Sequence, residues 1–176
     1  MNAHRTLTAA FLTATALTVG SAPASAVLAA ETGAPTTERE RGIVLECRGD
    51  LDGTAVYASL YENDKYGNWF QVVLGDPDAG NGRSKNVKRE ILEDGKVRAS
   101  ITIDGAKAVV RGTASKVGKK KPVHEELDDA GYLIVNDGTH RRLRNDLAFE
   151  YDGMATRLSC DPAFAYDLKV TKTPIV

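Results

Sequence analysis

Asp-Gly occurs five times, at Asp52-Gly53, Asp94-Gly95, Asp104-Gly105, Asp137-Gly138 and Asp152-Gly153. The pair accepts the positive φ that both central residues of a tight hairpin turn require, and it is the strongest short-range hairpin signal when alternating residues flank it. Strands are expected to flank all five steps, and two of the hairpins can be checked by register. In VRASITIDGAKAVVRG, a two-residue turn at Asp104-Gly105 pairs Ile103 with Ala106 and sets Val97, Ala99, Ile101, Ile103, Ala106, Ala108 and Val110 on one face. In LAFEYDGMATRLSC, the same geometry at Asp152-Gly153 gathers Leu147, Phe149, Tyr151, Met154, Thr156, Leu158 and Cys160, leaving Glu150 and Arg157 opposite. A chain punctuated in this way is expected to be all-β and antiparallel.

The N-terminus sets the compartment. Arg5 precedes the apolar run LTAAFLTATALTVG, and Ala24-Ser25-Ala26 ends it in the small-x-small pattern that signal peptidases read. Residues 1–26 are therefore expected to be a signal peptide, with cleavage after Ala26 or, alternatively, Ala30. The run falls short of the roughly 20 residues of a membrane span, and a secreted, extracellular protein follows. In an oxidising compartment two cysteines in a small domain read as one disulfide. Cys47, in VLECRGD, and Cys160, in RLSC, are the only two, and alternation points both inward.

A bridge between these positions brings the first and penultimate expected strands together. Further strands near 53–61, 69–74, 86–93, 121–127, 131–136 and 163–171 bring the number to about nine to eleven. The expected architecture is an up-and-down meander closed as a barrel, with a β-sandwich as alternative. Residues 27–41 are small, polar and charged and read as a flexible leader, and 42–176 as one domain.

Chemistry is sparse. Formal net charge is -1, which gives no reason to expect nucleic acid as a partner. His124 and His140 fit no zinc-protease pattern, and no nucleophile elbow or phosphate loop is present. Asp76 and Asp78 alternate as a calcium loop asks, but Gly80 and Val87 stand at its fifth and twelfth positions. No catalytic residue, metal or cofactor is expected. What remains is a set of basic stretches, 83–89, 116–121 and 140–144, read as falling in loops or at strand edges. The candidate binding residues are Lys119, Lys120, Lys121, Arg141, Arg142 and Arg144, expected on the long connections 113–121 and 138–145, with 75–86 as a third. Tyr61, Tyr66 and Trp69 form a second candidate surface, because Tyr and Trp are enriched at contact sites.

VLECRGD near the start and RLSC in a late strand resemble the layout of periplasmic C-type lysozyme inhibitors, small exported antiparallel barrels with an early and a late cysteine. The likeness covers the two cysteine strands, and no inhibitory residue is carried over from it. The expected function is a secreted, monomeric, non-enzymatic binding protein, an inhibitor among the options, that contacts an extracellular protein or anionic polymer through loops. The alternative is a lipocalin-like carrier of a small apolar ligand.

Overall fold

The structure, a computed structural model, describes residues 34–78 and 81–175. The expected signal peptide lies outside them. The described chain forms ten strands: β1 (Thr36–Leu51), β2 (Thr54–Asn63), β3 (Gly67–Leu74), β4 (Asn81–Val87), β5 (Leu92–Glu93), β6 (Lys96–Ile103), β7 (Ala106–Lys116), β8 (Lys121–Asp129), β9 (Tyr132–Tyr151) and β10 (Met154–Pro174). All pairings are antiparallel, in the order β4-β3-β2-β1-β10-β9-β7-β6-β5, with β8 on β9 beyond the end of β7. There is no helix among the described residues, and none long and apolar enough to cross a membrane.

Four of the five Asp-Gly steps are turns. Asp52, Asp94, Asp104 and Asp152 have φ between 47 and 52°, each followed by a glycine of positive φ. The registers Ile103 opposite Ala106 and Tyr151 opposite Met154 are those the alternation dictates. Met154, at a hairpin tip, is exposed, whereas the rest of its row is buried or half-buried. The fifth step is different. Asp137-Gly138 lies inside β9, where Gly138 faces Leu168 on one side and Val123 on the other. A Cβ on Gly138 would stand 2.2 Å from the carbonyl oxygen of Asp167, so the glycine permits a close strand approach in place of a turn. The expected strands at 131–136 and near 147 are consequently one strand, and the expected loop 138–145 does not exist.

The fold also starts earlier than expected. Thr36–Arg41 belongs to β1 and pairs with Asp167–Lys172 of β10, although its polar composition reads as leader. Ion pairs accompany this ladder: Arg39 bonds Asp167 at 2.6 and 2.7 Å, and Lys65 reaches Glu38 at 3.0 Å.

The sheet curls into a half-barrel and stays open. The expected strand at 86–93 is broken: β4 ends at Val87, residues 88–91 bend across the opening, and β5 has two residues. The amides of Ile91 and Leu92 donate to the carboxylate of Glu62, at 2.5 and 3.0 Å, instead of to a neighbouring strand. Inside the curl lies a continuous core in which Leu45, Leu60, Phe70, Val72, Ile103, Val110, Leu147 and Phe149 are almost wholly buried. Each such side chain contributes roughly 1.5–3 kcal/mol.

Cys47 and Cys160 are bonded and face one another across β1 and β10, with Cα atoms 3.9 Å apart. Around Cys160 the β10–β9 register shifts, between Leu158 and Phe164, and this bulge contains a cis bond at Asp161-Pro162. Past the bulge, β1, β10, β9 and β8 continue as a four-stranded extension.

Candidate functional site

The extension brings the basic residues together, but by strand parity and not by loops. Arg141, Arg142 and Arg144 lie close together on β9, with Leu143 between the last two, and successive side chains of a strand point to opposite faces. Arg142 and Arg144 share a face with His140; Arg141 takes the other. Residues 117–120 form the short link from β7 to β8 and are tied to β9 at two points. Val117 donates its N–H to the carbonyl of Arg142 at 2.9 Å, and Arg141 Nε donates to the carbonyl of Gly118 at 3.0 Å. The lysines divide in the same way: Lys119 and Lys121 join Arg142 and Arg144 around one groove, while Lys120 joins Arg141 at another.

The first groove has a volume of about 890 Å³ and the β10 bulge as its other wall. Its cations are Lys119, Lys121, Arg142 and Arg144, and Asp161 is the carboxylate among its lining residues. None of the four cations forms an ion pair among the described residues. The groove around Lys120 and Arg141 is electrostatically different, because Glu62, Asp64, Glu90 and Asp167 interleave with its cations. There the Arg39 guanidinium holds the Asp167 carboxyl below its ordinary value. The first groove can therefore receive an anion without displacing an internal partner; in the second the charges already compensate.

Tyr61 and Tyr66 line a third groove, of about 400 Å³, on the face of the extension that carries Arg142. Its floor is Phe164, Tyr166, Leu168 and Val170, alternate residues of β10, flanked by Val123, Leu127 and Ile134. Trp69 stands directly opposite Tyr61 on β3 and is 38% exposed, beside this groove instead of within it. Buried Asn63 shapes the rim. Its side-chain oxygen accepts the amides of Lys65 and Tyr66 at 2.8 and 3.0 Å, and its Nδ2 donates to Tyr61 Oη and Glu40. Lys172 lies 5.5 Å from the Tyr66 ring centre. The Tyr166 hydroxyl donates to the carbonyl of Glu62 at 3.0 Å, and burial pushes its pKa far above the phenol value.

Reasoning from residues missed His140, Phe164 and the β10 floor. The available signal was the period-two row Phe164, Tyr166, Leu168, Val170, which reads as an ordinary half-buried strand. The Asp76 loop is a polar turn in which the Asp78 amide donates to Asp76 Oδ1 at 2.9 Å. No protein-family model, curated protein or solved structure matches the chain.

Proposed function

We propose that this chain is an exported, non-enzymatic binding protein that holds an anionic partner in the groove between Lys119, Lys121, Arg142, Arg144 and the β10 bulge. The observation that carries the reading is the concentration there of four cations without carboxylate partners, on a face where alternation supplies two from β9 and the 117–121 segment supplies two. Cations held close together raise the local concentration of an anion and bond its oxygens when it docks. Export is supported by the signal-like residues 1–26 and by the bonded cysteines, which persist in oxidising compartments. The carrier alternative, with an apolar ligand inside the curl, is disfavoured by the core, where Phe70, Phe149 and Leu60 occupy the space such a ligand needs.

Binding to an immobilised anionic polymer, poly-glutamate or polyphosphate, tests the reading. Retention should fall steeply as salt rises, because screening at about 0.15 M already acts over roughly 8 Å. Equal retention on neutral and anionic matrices would remove the anion site. Mass spectrometry of material from the medium should give a chain beginning at Val27 or Glu31, and a full-length chain kept in the cell would remove export.

A further inference from the structure

The basic groove and the apolar groove are one continuous surface. His140 and Phe164 wall both, and their rings stand 5.5 Å apart. From Phe164 the aromatic path continues to Tyr166 at 6.5 Å and from Tyr166 to Tyr61 at 6.2 Å. One sheet face thus carries unpaired cations at one end and an aromatic and aliphatic floor at the other.

We propose that this face binds a single anionic amphiphile, its phosphate or carboxylate head among Lys119, Lys121, Arg142 and Arg144 and its hydrocarbon tail along Phe164, Tyr166, Leu168 and Val170. The proposal rests on the anion-binding reading of the basic groove and specifies what the anion is attached to. From Phe164 to Val170 the floor runs about 20 Å at strand spacing, the reach of a long extended acyl chain. Its volume lies within the range of small-molecule sites. Along the apolar groove Glu40 and Glu125 outnumber the one cation, Lys172, whereas four cations face the single carboxylate Asp161 in the basic groove, so an anionic head is drawn to the basic end. Charge alone orients the ligand.

The sheet itself favours a tail over a peptide. Between the outer edges of β8 and β1, the backbone groups of the four strands pair with one another, and the face offers a peptide's amides no backbone partner. A hydrocarbon asks for none. A peptide would add more readily to the outer edge of β8, beside the floor instead of on it. A second copy is also poorly matched. Isologous pairing of this face sets its cations against the partner's cations or against the partner's apolar floor.

The test is titration of the protein with alkyl phosphates and fatty acids of increasing length, below micelle formation, followed by calorimetry. Affinity for either head should rise roughly two- to fourfold per added methylene until the floor is covered. Arg142→Gln with Arg144→Gln should weaken an alkyl phosphate at least tenfold and leave a neutral alcohol of equal length unchanged. Leu127→Asn, at an exposed position, and Ile134→Asn should each flatten the dependence on length, with unaltered thermal unfolding as the control for folding. Inorganic phosphate should bind far more weakly than any long-chain head. If affinity ignores tail length while phosphate or poly-glutamate still binds, the tail assignment falls and the anion site stands. If no anion binds, both fall. Binding seen only with anionic vesicles, or a stable dimer that excludes the amphiphile, would also overturn the assignment.

Discussion

His124 projects from β8 with Nδ1 2.6 Å from Asp137 and Nε2 3.3 Å from Glu126. Asp137, first, and Glu126 favour the charged imidazole and raise its pKa above the ordinary 6.5. A raised folded value means that this contact supports the fold fully below the ordinary value and ceases to do so as pH rises through the folded one. NMR titration should place the His124 midpoint above that of His124 in the unfolded chain, and Asp137→Asn should bring it back down. An unchanged midpoint in Asp137→Asn would mean that the contact is absent in solution. At Gly42 the constraint is steric. A Cβ there would lie 1.6 Å from the Glu62 carbonyl oxygen and 2.6 Å from the Tyr166 hydroxyl. Gly42→Ala should therefore cost about 1–3 kcal/mol in chemical denaturation, and a neutral result would show that β1 and β2 are not held this closely. Such glycines mark the limit of what residues alone disclose. Gly53, Gly105 and Gly153 sit at turns because alternating strands flank them, and the alternation is legible. Gly138 is there for the Asp167 carbonyl, 29 positions away in the chain, and no local pattern records that neighbour.

Within β9 the expected candidates separate by face, which yields a prediction that loop residues would not make. Arg142 and Arg144 line the basic groove; Arg141 lies with Lys120 among carboxylates. Arg142→Gln with Arg144→Gln should lower affinity for poly-glutamate by roughly tenfold or more and flatten its salt dependence, since charge-assisted bonds contribute about 1.5–3 kcal/mol each. Arg141→Gln with Lys120→Gln, an equal loss of charge, should change affinity far less. Equal effects from both pairs would mean that only net charge matters and that the groove is not a site. The identity of the basic residues was legible, as was their clustering. Their division was not, because reading 138–145 as a loop removes the period-two rule that sorts them. The hydrophobic residues of β10 hid in the opposite way: Phe164, Tyr166, Leu168 and Val170 alternate as a core-facing row does, with Tyr166 and Val170 buried, and only the groove they line marks the row as a separate surface.

At the scale of the molecule, one bond joins the two ends of the fold. Cys47 and Cys160 are separated by 113 positions yet face each other on β1 and β10, the strands that unite the N-terminal hairpins with the C-terminal ones. The inward alternation of both cysteines announced this meeting. It did not announce an open sheet, because closure depends on whether residues 88–91 pair or cross, and Glu62 satisfies the amides of Ile91 and Leu92 that pairing would otherwise have used. With no β4–β5 ladder among the described residues to complete a ring, the β1–β10 seam is the strand ladder that joins the halves. Removing the bridge releases a loop of more than a hundred residues in the unfolded chain, worth on the order of 4–5 kcal/mol in the chain-entropy model. Cys47→Ser with Cys160→Ser should accordingly unfold at markedly lower denaturant concentration, by about 2–5 kcal/mol. The native ladder on both sides of the bulge should keep the basic groove formed, so poly-glutamate affinity measured well below the unfolding midpoint should be close to that of the bridged protein. Cys160 lines that groove. If affinity collapses while the fold persists, the bond shapes the binding surface directly, and if the midpoint does not move, the β1–β10 ladder alone holds the halves together.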